Sequence, residues 1–464
     1  MSFDGPPTDG PTAALARFAS GLAFDAIPPE VIAHGKVAVL DLLGCARYGA
    51  AQPWTVLVQR YVAGERARPD AAVWGTPLRT SPSLAALANG TAAHGAEIDD
   101  LHRASFHHPG AATVPAALAA ADDLDGVDGR ALLTAIVVGY EVSTRVGAAL
   151  GQGHFLAGYH PQGTSGVFSA AAAAGRLMRL DPERMVHALG IAGTQASGLM
   201  AAQEGAMVKR AHAGLAGQTG VRAAALAADG FTGIEDVFEA RFGGLLGTLG
   251  TPESDVDALT AGLGEVWQTA RIEFKRHAAC AAIHTTLDVV EDLCRDSGVT
   301  ADDVAEVTVR CTTHSYLHCG FAYRPAGVTA AQMSFQYCVA AMLEFGVVSV
   351  GQFADALLDD PRLLALAARV RVEVDPERDA LGPDRRHSVA VEIRTKDGAV
   401  VRGERVQRKG GVEEPLTRDQ VVDKYRSLTA RVMPAAAAEE LLGLVMGLEE
   451  VADVRRLSDA LSAG

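Results

Sequence analysis

The sequence predicts a mainly α protein with a large all-helical domain and a smaller α+β domain. Three observations point there. Up to about residue 268 the apolar side chains recur at helical spacing. From about Val304 the period shortens to two, in VAEVTVR, in ARVRVEV (368–374) and in SVAVEIR (388–394), as in half-buried strands. After Gly410-Gly411 helical spacing returns. A chain of 464 residues is long enough for two cores. The expected division is therefore 1–268 plus 409–464 for the helical domain and 269–408 for the α+β domain.

Residues 1–11 are rich in Gly, Pro and Asp and are expected to be poorly ordered. Thr12 is a candidate cap for a short helix running to Gly21. After Pro28-Pro29, residues 30–48 read as an amphipathic helix with Val31, Val37, Leu40 and Leu43 on its apolar side. Residues 84–96 read as a second helix. Residues 129–150 are apolar nearly all round, which predicts a buried helix, and Glu141 and Arg145 are spaced to pair on it. Thr164 or Ser165 can cap the Ala-rich helix that follows GYHPQGTSG. Residues 181–199 open on DPER, with Pro182 in a first helical turn. In the α+β domain the helices expected are one that begins just after His277 and runs to about Leu293, one over 331–344 and one over 350–366. Lys396-Asp397-Gly398 marks a hairpin turn before the strand 400–406. Thr417 caps a last helical stretch that carries Lys424. No internal repeat is evident.

Apolar residues make up 48% and charged residues 21%, ordinary for a globular protein. Aromatics are only 5%, so Ala and Gly dominate the apolar segments and helices can approach closely. A net charge of -15 argues against a general nucleic-acid binder. Any Lys or Arg cluster in a pocket is then a local feature. The six cysteines include no CxxC pair, which argues against a structural zinc site and fits free thiols in a reducing cytoplasm. The opening residues show no charged stretch followed by an apolar one of the kind a signal sequence has, and no uninterrupted apolar run reaches membrane-spanning length.

The densest collection of titratable groups is AHGAEIDDLHRASFHHPG, with His94, Glu97, Asp99, Asp100, His102, His107 and His108. Imidazoles gain and lose protons near neutral pH, and carboxylates beside them fix their tautomer and raise their basicity. The pattern suits proton transfer or a metal; its plain alternative is a polar loop between helices. Three further stretches stand out. His160 precedes a helix N-terminus, where free N–H groups attract anions. Lys209 and Arg210, followed by His212, lie among small apolar residues in AMVKRAHAGLAG. Lys275, Arg276 and His277 lie in FKRHAACAAIH. Charges in apolar segments need a reason, because unpaired burial is costly; snorkelling of helix ends to solvent is the structural alternative.

Taken together, NGTAAHGAEIDD, the HPG at His108, GYHPQGTSG, VKRAHAG, the GFTG at Gly230, FKRHAAC and SFQYCVAAML resemble the MmgE/PrpD family in order and approximate spacing, over nearly the whole chain. That family contains 2-methylcitrate dehydratases, cis-aconitate decarboxylases and iminodisuccinate epimerases. The resemblance implies a large helical domain with a smaller α+β lid, a homodimer, and chemistry without metal or organic cofactor at a cleft between domains. It places the family's active-site histidines on His108 and His160 and its active-site lysines on Lys209 and Lys275. An acidic position falls on Glu97, where the decarboxylases usually have Asp. Leu101 replaces a family threonine, which removes a hydroxyl, and His277 stands where an aromatic or Pro-containing stretch is usual.

These reactions share one problem: a carbon next to a carboxylate must lose or gain a proton, and the resulting enediolate carries excess charge. Lysines aimed at that carboxylate stabilise the charge as it develops, and histidines move the proton. The expectation is a cytoplasmic, cofactor-independent lyase for a small di- or tricarboxylate, most simply a dehydratase. His108 and His160 are its acid/base candidates, and Lys209 and Lys275 its carboxylate-binding cations. Glu97, Asp100, His102, His212 and His277 complete the substrate site, with Glu97 and Asp100 orienting the histidines. Alternatives are an epimerase or a decarboxylase, a metal-dependent hydrolase using His94, Asp99, Asp100, His102 and His108 as ligands, and a non-catalytic structural protein.

Overall fold

The computed structural model describes residues 9–462; the first eight residues of the stretch expected to be poorly ordered lie outside the described residues. The chain is mainly helical and divides into two compact units. The first comprises Met1–Met200, Arg210–Ile272 and Thr417–Gly464, and the second Ala201–Lys209 and Glu273–Leu416. This differs from the expected division at 201–209, which groups with the second unit although its sequence continues the helical region, and by a few residues at the other two boundaries, where 269–272 fall in the first unit and 409–416 in the second.

In the first unit the long helices are α1 (Pro29–Ala50), α2 (Pro82–Ala93), α3 (Gly110–Asp122), α4 (Gly129–Leu156) and α5 (Gly166–Leu177). They form a continuous stack: α1 packs on α2, α2 on α3, and α3 on both α4 and α5, which also pack on each other. The C-terminal helix Arg418–Thr429 lies against α1, within the same unit. Small residues make the close approaches possible. A Cβ added to Gly90 of α2 would come 2.8 Å from the Cα of Gly214. Alanine fills α3 and α5, and those side chains are buried.

Helix α4 is the buried helix that its composition predicts. It is long and apolar enough to cross a membrane, yet 89% of its most apolar window is buried inside the fold. It is a core helix whose Glu141 and Arg145 pair at 3.6 Å as their spacing predicts. Gly151 leaves helical geometry, with φ 70°, so the regular stretch ends near Leu150. Two expected caps make other contacts. Gly10 precedes the helix Pro11–Gly21, while the Thr12 hydroxyl donates to Glu239 at 2.5 Å. Ser165 occupies the N-cap position of α5 but makes no side-chain cap bond, and the Thr164 hydroxyl meets His154 at 2.8 Å. Asp181 and Thr417 do cap, each accepting from a backbone N–H three residues on.

The second unit holds a four-stranded sheet of β1 (Val304–Cys311), β2 (Val370–Val374), β3 (Val389–Thr395) and β4 (Val400–Arg405), in the order β2-β1-β3-β4. β1 and β2 run parallel, and the other pairs antiparallel. Val307, Val309 and Cys311 alternate into the buried face, as the period of two requires. The helix Ala281–Ser297 covers β3 and β4, and Phe335–Phe345 packs beside it. The helix expected over 350–366 is instead three short turns, Val350–Phe353, Asp355–Leu358 and Pro361–Ala367. Pro361 forces the break: it lacks an N–H and drives Asp360 to ψ 124°, from where Asp360 caps Arg362 and Leu363.

Candidate active site

The His/Asp stretch is a buried loop between α2 and α3. His94 ends α2. Glu97 and Phe106 take left-handed backbone conformations, with φ 54° and 57°. The His102 N–H donates to the His107 carbonyl at 2.9 Å and closes the loop on itself. Pro109 then leads into α3.

At its centre two imidazoles share one carboxylate. The Asp99 Oδ2 lies 2.8 Å from His94 Nδ1 and 3.5 Å from His108 Nδ1. His108 Nδ1 is also 2.7 Å from the Asp100 carbonyl oxygen. A carbonyl only accepts, so Nδ1 of His108 carries the hydrogen and Nε2 is its basic nitrogen. The His94 and His108 rings are 5.0 Å apart, and the His108 side chain keeps 16% of its surface open while His94 and Asp99 have none. Gln162, from GYHPQGTSG, supports this pair from behind. Its Oε1 accepts from the His108 N–H at 3.0 Å and meets His107 Nδ1 at 3.3 Å. Burial pushes His107 down to about 3, so it stays a neutral structural ring.

His160 joins the same group. Its ring is 6.0 Å from that of His94, and its Nδ1 lies 2.7 Å from Nδ1 of His212. One of those two nitrogens donates and the other accepts, so the two rings share a proton. The backbone holds His160 in place through its N–H to the Gly198 carbonyl at 3.0 Å. The structure therefore brings His94, His108, His160 and His212 together around Asp99, all within the first unit.

Other candidates take different roles. Glu97 forms a buried ion pair with Arg210. Asp100 acts on His108 through its backbone carbonyl; its carboxylate accepts from the Gly110 N–H at 3.2 Å. Burial, and then the neighbouring Asp99, hold Asp100 well above the usual carboxylate range. His102 turns to the Ser105 hydroxyl at 3.0 Å. Lys424 donates to the Ile98 carbonyl at 2.5 Å and pairs with Asp41 at 2.7 Å, bracing the loop from the C-terminal helix. Burial works against the Lys424 charge, but Asp41 and its neighbours outweigh it and raise the pKa.

In the second unit, Lys209 and Lys275 are both buried. Phe274, beside Lys275, is tied to Gly410 through its N–H at 3.2 Å, and Arg408 pairs with Glu273. His277 Nε2 lies 3.5 Å from Asp288, and its ring meets that of His284 edge-on at 5.1 Å.

Ligand atoms of His94, Asp99 and His108 all lie within 4.8 Å of one another, close enough to hold a metal. The wider five-ligand set of the hydrolase reading is not assembled, because His102 faces Ser105 and the Asp100 carboxylate faces Gly110. Sequence reasoning assigns no role to Gln162 and gives an orienting role to Asp100, which meets His108 through its backbone carbonyl, but none to Asp99. Adjacent aspartates in an irregular loop carry no period that says which one faces inward. His94 is visible in the cluster, but nothing in its spacing sets it above its neighbours.

A fold of this kind, with this loop, is defined by two family domains. The MmgE/PrpD N-terminal domain matches residues 13–256 and the MmgE/PrpD C-terminal domain residues 277–450. The chain belongs to the MmgE/PrpD family. Among its relatives, a cis-aconitate decarboxylase of Aspergillus terreus (strain NIH 2624 / FGSC A1156) is 32% identical over 100% of this chain and 98% of its own length. The cis-aconitate decarboxylase-like protein oryM of Aspergillus oryzae is 32% identical over 99% and 98%. The cis-aconitate decarboxylase of Homo sapiens is 27% identical over 97% and 94%.

Proposed function

We propose that this chain is a cofactor-independent lyase that decarboxylates cis-aconitate or an unsaturated polycarboxylate of the same build. The observation that carries the reading is the pair of imidazoles on Asp99, with Nε2 of His108 as the basic nitrogen. The full-length likeness to cis-aconitate decarboxylases supports the choice of reaction.

In such a reaction the electrons of the C–CO2 bond pass into the conjugated carbon skeleton, CO2 leaves, and one proton takes its place on carbon. The imidazolium form of His108 supplies that proton and ends neutral. Asp99 favours the imidazolium by its charge. The proton shared by His160 and His212 gives a second acid/base group. Lys209 and Lys275 hold substrate carboxylates and stabilise the negative charge that builds up on carbon.

Dehydration, the first expectation, is the second reading. The same groups would take a proton from carbon and give one to a departing hydroxyl, and Leu101 in place of the family threonine is a reason to test a related substrate. Proton NMR of the purified chain with cis-aconitate and, separately, 2-methylcitrate decides between them. Loss of CO2 from cis-aconitate is expected; conversion of 2-methylcitrate to an alkene with no CO2 loss from cis-aconitate would make it a dehydratase. The same reading carries a homodimer, which would cover open apolar side chains such as Phe231 and Phe242. Sedimentation velocity tests it, and a monomer would overturn it.

A further inference from the structure

The six cysteines show no ligand spacing along the chain, yet the fold gathers two of them. Cys280 immediately precedes the helix Ala281–Ser297, and Cys319 ends the short helix Thr313–Cys319, with His318 beside it. Ligand atoms of Cys280, His318 and Cys319 lie within 4.8 Å of one another. All three belong to the second unit. From this cluster we infer a site for a thiophilic divalent ion of the zinc class, held by two thiolates and one imidazole, separate from the histidines around Asp99.

Distance and chemistry both support it. The Cys280 sulfur is 3.6 Å from each ring nitrogen of His318. With Zn–S of about 2.3 Å and Zn–N of about 2.0–2.1 Å, two ligands on one tetrahedral ion stand about 3.5 Å apart. Cys280 and His318 therefore already stand at ligand spacing, and Cys319 lies within 4.8 Å of both. Two thiolates balance the charge of a divalent ion, and thiolate with imidazole selects zinc over magnesium or calcium. Cys280 and Cys319 are buried, and His318 is partly open, which leaves an entry path.

The surroundings add to this. The His314 ring stands edge-on to His318 at 6.0 Å, and His387 lies 5.9 Å beyond His314. The buried Arg386 acts on both rings. Arg386 itself is the opposing cation, and the thiolate pair offsets it. Binding ties the start of one helix to the end of another and releases the two thiol protons to solvent. The ion takes no part in the reaction proposed above.

Cobalt(II) added to the full chain under phosphine reduction tests the site. A thiolate-to-cobalt charge-transfer band in the near ultraviolet should appear at one ion per chain, and zinc should abolish it. Cobalt at His94, Asp99 and His108 would give no such band, since no sulfur is there. The band should be lost in Cys280→Ser and Cys319→Ser. A serine variant that failed to fold would also lack it, so the unaltered chain supplies the second measurement. Zinc should slow alkylation of Cys280 and Cys319, read by peptide mass spectrometry, and leave Cys294 unaffected. No thiolate band at saturating cobalt, a band that survives in both serine variants, or equal alkylation of Cys280 and Cys319 with and without zinc would overturn the site.

Discussion

Replacing Asp99 with Asn keeps the shape of the side chain and removes the charge shared by His94 and His108. Asp99 is fully buried and its Oδ2 stands 3.5 Å from His108 Nδ1. At that distance and an effective dielectric of about 20, two unit charges interact by about 5 kcal/mol. Carboxylates this close raise a histidine pKa by about 1–3 units in practice, or about 1.4–4 kcal/mol. Losing Asp99 should therefore lower the His108 pKa by about 1–3 units. If the imidazolium donates the proton, turnover falls as pH rises through that pKa, so the alkaline limb of the kcat profile moves to lower pH by the same amount. At neutral pH kcat should drop about 10–100-fold, the usual effect of losing a partner that orients a functional histidine. KM should change little, since Asp99 need not touch substrate. The assay is CO2 release from cis-aconitate across pH, with circular dichroism to check folding. A folded Asp99→Asn protein whose limb stays where it was would refute the role given to Asp99.

Glu97→Gln should remove the negative partner of the buried Arg210 guanidinium and destabilise the first unit by up to about 3–5 kcal/mol, read as a lower thermal midpoint; an unchanged midpoint would show the pair contributes nothing. His107 titrates at about 3 when folded, against the ordinary histidine value of 6.5 that it takes up on unfolding. Between those values the unfolded chain binds the extra proton, so stability is lost as pH falls. His107→Asn should flatten that loss, which is about 1.4 kcal/mol per pH unit at its steepest, in urea midpoints taken across the acid range. Lys275→Met should raise KM and lower kcat together, because the same contact strengthens as charge develops; full activity on the true substrate would remove Lys275 from the mechanism.

The fold is legible in the sequence where a period carries it. The strands 304–311 and 389–395 alternate buried and more open residues and show as a period of two; 370–374 shows the same period although only its Val370 is buried, and 400–405 shows through the turn before it. The buried helix α4 and its Glu141–Arg145 pair show for the same reason at helical spacing. What escapes is local. Thr12 has cap chemistry but is drawn to Glu239, 227 residues away, and no window around Thr12 contains that partner. Pro361 is a readable break inside an apolar stretch whose helical spacing otherwise runs on across it. In the site, density alone finds the histidines, but it does not separate Asp99, which joins them, from Asp100 next to it. Glu97 sits among histidines in sequence, whereas its partner Arg210 lies 113 residues on. Cys280 and Cys319 lie at different helices and meet only in the folded unit. Spacing rules for zinc look for neighbours in sequence and pass over such a pair.

The most direct measurement of the central claim follows solvent deuterium. The chain and its His108→Gln variant are each incubated with cis-aconitate in D2O, and the products are read by NMR. If His108 delivers the proton that replaces CO2, the unaltered chain forms a product carrying one deuterium at a single carbon, and the folded variant forms it at least about a hundredfold more slowly. Equal rates of deuterated product from the two proteins would contradict the account.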